Sequence, residues 1–264
     1  MEIHKIIILS SFVTTSFLSC PQPQHFYKPV PIDAVLLSHK NQVMINGIVD
    51  ASILRDQSMG TVSLSYSPTN DLGLRVGLGS GSNGNDDFTN PYISAGYYKN
   101  LSHDFLAEIY GGFGMYYHSN TYYESEYAPI KRINYNNYFI QPSIAFINKN
   151  IEAALTLRFD YLRRQRTEIL ADYDASEWKY SFLKYNNYMF LQPGLTVKAG
   201  WKKVKFVVGV SKSIPFNKNY SSIYGPDENY FITSEKDIPP ADNKFHISTG
   251  LSINLDLFTN KKKK

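Results

Sequence analysis

The sequence predicts an all-β fold, an antiparallel up-and-down transmembrane β-barrel of about ten strands. Apolar and polar residues alternate with period two over much of the chain, which is typical of strands with one apolar face. Short and long connections alternate between these stretches, as they do in outer-membrane barrels. The only long apolar run is N-terminal and is shorter than the ~20 residues that a membrane-spanning helix needs.

The alternation is clearest near the C-terminus, from Phe245 to Leu257. Phenylalanine, isoleucine and leucine dominate the odd positions, whereas His246, Ser248 and Asp256 fall on the even ones. In a membrane barrel the apolar face contacts lipid and the polar face lines the lumen. One wall of a soluble β-sandwich would show the same pattern, so the sandwich is the main alternative fold.

Ten stretches follow this pattern, and their connections predict an orientation. The predicted strands are 43–54, 59–67, 72–80, 91–99, 105–118, 134–147, 151–164, 185–199, 203–213 and 244–257. Short turns at 67–71, 100–104, 148–150 and 200–202 alternate with longer links at 81–90, 119–133, 165–184 and 214–243. Short turns usually face the periplasm, and an even strand number brings both barrel ends to that side. We therefore expect a bacterial outer-membrane protein with both termini periplasmic.

The N-terminus has the features of an exported lipoprotein. Residues 1–19 combine a basic start with a short uncharged apolar run, which is typical of a secretory signal. Cys20, the only cysteine, follows directly and is the predicted lipid-attachment residue. The alternative is ordinary cleavage nearby, which would leave a free thiol.

Three further segments complete the predicted organisation. Residues 20–42 are polar and contain four prolines, so we expect a lipid-anchored periplasmic tether without regular structure. The barrel is expected to cover 43–258, and 259–264 is a basic tail.

Aromatic residues, 15% of the chain, recur where strands return from long links. The stretch 135–142 resembles 185–193, and each contains a tyrosine cluster, a glutamine and a proline. We expect the tyrosines to form an aromatic girdle at the outer interface, with Gln141 and Gln192 pointing inward. A bulge would relieve the proline, which cannot donate to the ladder.

Several motifs carry a family resemblance. They are Phe26-Tyr27-Lys28-Pro29, Val35-Leu36-Leu37, Lys40-Asn41-Gln42 and the turn from Tyr66 to Gly73. Together they resemble a family of uncharacterised Bacteroidota outer-membrane lipoproteins with a barrel domain. Ala34, Asn41-Gln42 and Asp71 stand where that family has proline, Gly-Glu and histidine. The resemblance implies location and fold, and it transfers no functional residue.

Charged residues on the predicted inward face form the candidate site. They are Asp50, Arg75, Glu108, Glu152, Arg158, Asp160, Lys198, Lys205 and Asp256. One interpretation is a charged pore or a proton site, and the other is a set of ion pairs that fills a narrow lumen. Eight strands leave room only for side chains or one small ligand, and 16 or more make an open channel. Ten strands therefore favour a filled lumen.

The sequence contains little that predicts catalysis or a cofactor. His118-Ser119-Asn120 invites comparison with outer-membrane lipid A deacylases, but adjacent residues of a strand point to opposite faces. The remaining histidines do not have metal-site spacing, and the glycine-rich stretch 79–85 lacks the lysine of a phosphate loop. We expect no cofactor and no metal.

Composition and the long links limit the classes of partner that the sequence predicts. The net charge is +4, and Lys261 to Lys264 supply four of the cations, so no nucleic-acid partner is expected. The membrane lipid is the expected partner of the barrel, which we expect to be a monomer. Aromatic residues in the long links either bind an extracellular protein or glycan or pack over the barrel mouth. A structural or interaction role with a filled lumen is thus predicted, with a narrow solute channel or a lipid-acting hydrolase as alternatives.

Overall fold

The computed structural model describes residues 30–52, 58–83, 86–120, 130–173, 176–182, 187–216 and 245–256. Within these ranges the regular elements are all strands. They are β1 (Gln42–Ser52), β2 (Ser58–Tyr66), β3 (Leu72–Asn83), β4 (Asp86–Asn100), β5 (Phe105–Asn120), β6 (Ile130–Ile147), β7 (Ile151–Tyr173), β8 (Ser176–Phe182), β9 (Asn187–Gly200), β10 (Val204–Lys212), β11 (Ile214–Pro215) and β12 (Phe245–Asp256). Among the described residues, no helix is long and apolar enough to cross a membrane.

Ten of these strands form a closed antiparallel barrel, as the sequence predicts. Each of β1 to β7 pairs with the next strand of that series, β9 pairs with β10, and β10 pairs with β12. The sheet closes because β12 pairs with β1 and β7 pairs with β9. The other two strands are short additions: β8 pairs with the distal part of β7, and β11 continues β10 along β9.

The two faces of the wall differ sharply in polarity. Most outward side chains are apolar and exposed, as for Val62, Leu155 and Phe206. Inward side chains are buried, and many of them are polar or charged. The period-two pattern of the sequence thus appears as a lipid-type outer surface and a polar interior.

One end of the barrel is made of tight turns. The N–H of Leu101 donates to Phe105 O, that of Asn148 to Ile151 O, and that of Trp201 to Val204 O, each at 2.8 Å. Gln42 and Asp256, the outer ends of β1 and β12, pair at this same end. We call it the short-turn end and the opposite one the long-link end.

The wall extends further at the long-link end than the sequence predicts. The stretch 81–90, expected as a link, is mostly strand, because β3 and β4 pair up to Asn83 and Asp86. Likewise the described part of 165–184 is strand, since β7 and β8 pair from Thr167 to Tyr173. The strands continue there after the apolar alternation has ended, so periodicity alone does not detect them.

The two mid-strand prolines lie where ladders are interrupted. Gln141 and Pro142 of β6 have no register partner on β7, although pairing resumes on both sides. Pro193 pairs with Leu157 of β7, but it lies between the stretches of β9 that pair with β10 and with β11. The missing proline N–H thus coincides with each gap. The β6–β7 register shift lies elsewhere, between Asn134 and Tyr135.

Two hydrophobic clusters fill the interior at different heights. The lower cluster, near the short-turn end, includes Met44, Tyr98, Leu106, Ala145 and Ala154. The upper cluster, near the long-link end, includes Met59, Phe88, Tyr92, Tyr116, Tyr135, Phe139, Leu162, Tyr188 and Phe190.

The predicted position in an outer aromatic girdle is therefore wrong for two tyrosines. Tyr135 and Tyr188 are buried in the upper cluster, whereas Tyr138 is exposed on the outer surface. The reason is strand parity: Tyr135 lies on the same face as Gln141, and Tyr188 on the same face as Gln192. Both glutamines are buried, as predicted.

Candidate functional site: the barrel lumen

The lumen contains a segment of the chain itself. Val30 to Leu37, which we call the plug segment, are all buried, and they join β1 through residues 38–41. From the sequence, residues 20–42 are expected to be a periplasmic tether. The structure differs for the plug segment, which lies among the inward side chains of the wall.

Asp33 is the polar centre of this arrangement. Its carboxylate lies 3.1 Å from Lys198 Nζ and 3.3 Å from Arg75 Nη2. Asn46 Nδ2 also donates to Asp33 Oδ2 at 2.6 Å. Asp33 is 1% exposed and Lys198 0%, so both charges are removed from water and depend on each other. A buried ion is tolerated only when it is paired and hydrogen-bonded.

The wall also binds the plug segment through its main chain. Arg75 Nη1 and Gln141 Nε2 both donate to Asp33 O, at 3.2 and 3.0 Å. Lys198 Nζ donates to Ala34 O at 2.7 Å. A peptide inside a barrel has no neighbouring strand to hydrogen-bond its main-chain N–H and C=O groups. Side chains of the wall make these hydrogen bonds instead.

Glu108 receives the next two main-chain groups. Val35 N–H donates to Oε1 at 3.1 Å and Leu36 N–H donates to Oε2 at 2.9 Å. Leu36 has a φ of 57°, in the left-handed region that leucine rarely adopts. A single carboxylate that accepts both N–H groups holds the chain in this unusual turn.

The wall has room for the plug segment because glycines face it. A Cβ on Gly194 would lie 3.1 Å from Cδ1 of Ile32, and one on Gly73 would lie 3.1 Å from Cδ1 of Leu37. The apolar residues 34–37 belong to the lower cluster and Val30 to the upper one. The polar contacts of Asp33 lie between these two layers.

The fold as a whole has one clear counterpart among membrane proteins. Ten antiparallel strands close on themselves, the outer surface is apolar, and the interior is polar. The fold is that of an outer-membrane β-barrel.

Known structures with a similar fold include two outer-membrane barrels. The translocator domain of the autotransporter NalP from Neisseria meningitidis is similar with 13% identity and a TM-score of 0.44, over 82% of this chain and 86% of that one. The N-terminal β-barrel domain of Pseudomonas aeruginosa OprF has 9% identity and a TM-score of 0.27, over 83% of this chain and 100% of that one. Both are likenesses of fold alone. No family model matches the chain, and no curated protein does either.

The structure places eight of the nine predicted inward charges on the buried face of the barrel. Arg75, Glu108 and Lys198 bind the plug segment. The other five are Asp50, Glu152, Arg158, Asp160 and Lys205. The side chain of Asp256 and the whole of Cys20 lie outside what the structure describes.

These other five charges are held by partners in the wall. Arg158 makes a bidentate contact with Asp160, with distances of 2.9 to 3.0 Å. Its guanidinium also lies 4.0 Å from the ring centroid of Phe139, a cation–π contact. Lys205 Nζ lies 2.5 Å from Glu152 Oε1.

The remaining member of this set, Asp50, lies beside a histidine that is not among the predicted inward charges. His246 Nδ1 is 3.2 Å from Asp50 Oδ2, and both residues are buried. Strand parity could have predicted the inward direction of His246, because His246 shares a face with Ser248 and Ser252, which are also buried.

The structure does not bring His118 and Ser119 together as the hydrolase interpretation requires. His118 is buried on the inward face, whereas its neighbour Ser119 alternates to the other face of β5. A nucleophile and its base must lie within hydrogen-bond reach on the same side. Among the described residues, no group of three or more histidine, cysteine or acidic side chains is placed to hold a metal ion.

Proposed function

We propose that the protein is an outer-membrane barrel of structural or interaction type, whose lumen is closed by its own plug segment. The observation that carries this proposal is the buried carboxylate of Asp33 between Lys198 and Arg75. It ties the segment to opposite sides of the lumen, in the polar layer between the two hydrophobic clusters.

The outer surface supports a membrane location. Along β5 the outward residues from Phe105 to Tyr117 are apolar or glycine, with aromatic rings at both ends. These ends are about 12 residues apart, or roughly 30 Å along the barrel axis at ~3.3 Å per residue and ~40° tilt. That height matches the hydrocarbon core of a bilayer, and aromatic rings are enriched at both of its interfaces.

The outward charges support the same location. Among the described side chains, outward charged residues on the wall occur only near its rims, as for Asp87, Lys99, Arg163 and Lys212. A charge on the lipid face costs most at the bilayer midplane and little near the interfaces. The distribution of charge is thus what a lipid environment requires.

The contacts of the plug segment support a closed state. Seven hydrogen bonds join wall side chains to residues 33–36, beside the ion pair with Lys198. Apolar clusters lie above and below this layer, and the plug segment occupies the space between them. The narrow solute channel is therefore the less favoured alternative.

Two features of the expected organisation remain part of the proposal. The short-turn end, where β12 ends, faces the periplasm, as is usual for such barrels. Cys20 carries a lipid, as its position after the signal indicates. Replacing Cys20 with Ala and following fatty-acid labelling tests the anchor, and labelling that persists in the variant would contradict it.

The interaction role is assigned to the long-link end. The aromatic residues of the links, such as Tyr123, Tyr224 and Tyr230, lie outside the described residues, so this part depends on sequence alone. An extracellular protein or glycan is the expected class of partner, because exposed aromatic rings suit both.

Planar-bilayer conductance of the purified full chain tests the closed lumen. We expect no steady current from the full chain. Asp33→Lys, which places a third cation beside Lys198 and Arg75, should weaken the plug contacts and give current events that the full chain lacks. Asp104→Lys, in an exposed turn, serves as the matched control and should stay silent. A steady open current through the full chain would contradict the proposal and favour a channel.

A further inference from the structure

The plug segment has a direction, and this direction decides on which side of the membrane the preceding chain lies. Ser38 to Asn41 are at the short-turn end, where Asn41 N–H donates to Ser67 O and Asn100 Nδ2 donates to Ser38 O. Traced from there towards the N-terminus, the chain first enters the lower cluster. It does not turn back towards the short-turn end.

Each further residue lies higher in the lumen. Leu37 packs near Gly73, which is one residue from the short-turn end of β3. Asp33 contacts Arg75 and Lys198 in the polar layer. Ile32 packs near Gly194, four residues beyond Lys198 along β9.

Val30 then lies in the upper cluster. Its cluster partners Met59 and Tyr188 are each one residue from the long-link end of their strands, β2 and β9. Phe88 and Tyr116 of the same cluster also lie near that end. The eight residues from Leu37 to Val30 therefore lead from the short-turn end towards the long-link mouth.

We propose that the chain N-terminal to Val30 leaves the barrel through the long-link mouth, so that it lies on the opposite side of the membrane from the short turns. This inference rests on the proposed membrane location. It reverses the expectation that the N-terminus is periplasmic, while the barrel ends at Gln42 and Asp256 keep the expected side.

Two physical arguments oppose a return to the short-turn side. The plug segment and the two clusters already occupy the interior of the described barrel, which disfavours a second pass through it. A path down the outside would carry peptide groups through about 30 Å of hydrocarbon, where unpaired N–H and C=O groups cost several kcal/mol each.

The available chain length points the same way. Nine residues lie between Cys20 and Val30, and the ten residue steps of a fully extended chain reach about 35 Å. That is enough to cross the rim of a ten-stranded barrel, but not to cross the rim and then descend the whole bilayer. If Cys20 is acylated, its lipid is therefore held in the outer leaflet, and residues 21–29 are presented at the cell surface.

Labelling of single introduced cysteines with a membrane-impermeant maleimide tests this inference. The variants are Gln24→Cys, His39→Cys and His103→Cys, with the parent chain as the control for Cys20. His103 is in a short turn with its side chain 98% exposed, so it reports the short-turn side. The proposal places Gln24 and His39, 15 positions apart in sequence, on opposite sides of the membrane.

We expect Gln24→Cys to be labelled on intact cells, and His39→Cys and His103→Cys to be labelled only after the outer membrane is opened. Labelling of Gln24→Cys only after opening would overturn the inference, and so would labelling of all three on intact cells. Heat-modifiable mobility of each variant in the membrane fraction shows separately whether the barrel has formed. If the parent chain is absent from that fraction, the proposed function has failed rather than the threading.

Discussion

The carboxylate of Asp33 lies 3.1 Å from the ammonium group of Lys198, in a layer of the lumen where neither side chain reaches water. Arg75 approaches the same carboxylate from another part of the wall. This contact joins the segment before β1 to the strands that complete the barrel late in the sequence. The plug segment and the wall therefore pack together as one buried core.

Removing the charge of Asp33 is expected to destabilise the barrel. In Asp33→Asn, Lys198 and Arg75 lose their shared anion while they remain buried, and breaking a buried pair in this way costs about 3–5 kcal/mol. Urea titration of the protein in lipid vesicles measures the free energy of unfolding.

Asp104→Asn is the control for that experiment. Asp104 pairs with His103 in an exposed turn, and a surface pair of this kind contributes about 0–1 kcal/mol. An Asp33→Asn variant as stable as the control would show that the plug segment is not bound through this carboxylate.

The inward glycines are expected to be intolerant of even one methyl group. A Cβ on Gly96 would lie 2.5 Å from both Ile109 O and Tyr110 Cδ1. The backbone of Ile109 and the ring of Tyr110 would therefore have to move. We expect Gly96→Ala to cost about 1–3 kcal/mol, as overpacking usually does. Gly47→Ala, on the outward face of β1, is the control for a glycine-to-alanine change, because nothing lies within 4 Å of its added Cβ. Equal unfolding free energies for the two variants would argue against a packed lumen.

The outer surface is expected to respond to charge as lipid-facing positions do. Val76 is 48% exposed near the middle of β3, and Val76→Arg should cost about 2–4 kcal/mol when the protein folds into vesicles. Leu101→Arg, in a short turn, should cost about 0–1 kcal/mol. A soluble protein would tolerate both substitutions within about 0.5 kcal/mol, which is the outcome that contradicts a membrane barrel.

Strand alternation made the wall predictable from the sequence. Lipid selects apolar residues at every second position of β5 and β12, so the faces and the ten strands of the wall follow from period two. The same reasoning ends where the membrane ends. Beyond Ser80 and beyond Arg163 the strands continue past the end of the apolar alternation, and the sequence pattern gives no sign of them.

The plug segment escaped prediction for a different reason. It is not a helix or a strand, and Pro29 and Pro31 make it look like a solvated tether. Its partners are side chains of distant strands, which no local pattern reveals. One signal was present: Ala34-Val35-Leu36-Leu37 is an apolar run that a solvated tether does not need. The inward direction of Tyr135 could also have been predicted, because Tyr135 and Gln141 are both at odd positions of the same strand and so share a face.

Hydrogen exchange at the amides of Val35 and Leu36, measured for the protein in bilayers, tests the central claim most directly. Both N–H groups donate to Glu108 inside the lumen, so we expect them to exchange as slowly as the buried strands of the wall, and in Glu108→Ala to exchange faster while the strands stay protected. The amide of His103 in its exposed turn gives the fast reference. Exchange of Val35 and Leu36 at the rate of His103 would show that the segment is outside the lumen and would contradict the account.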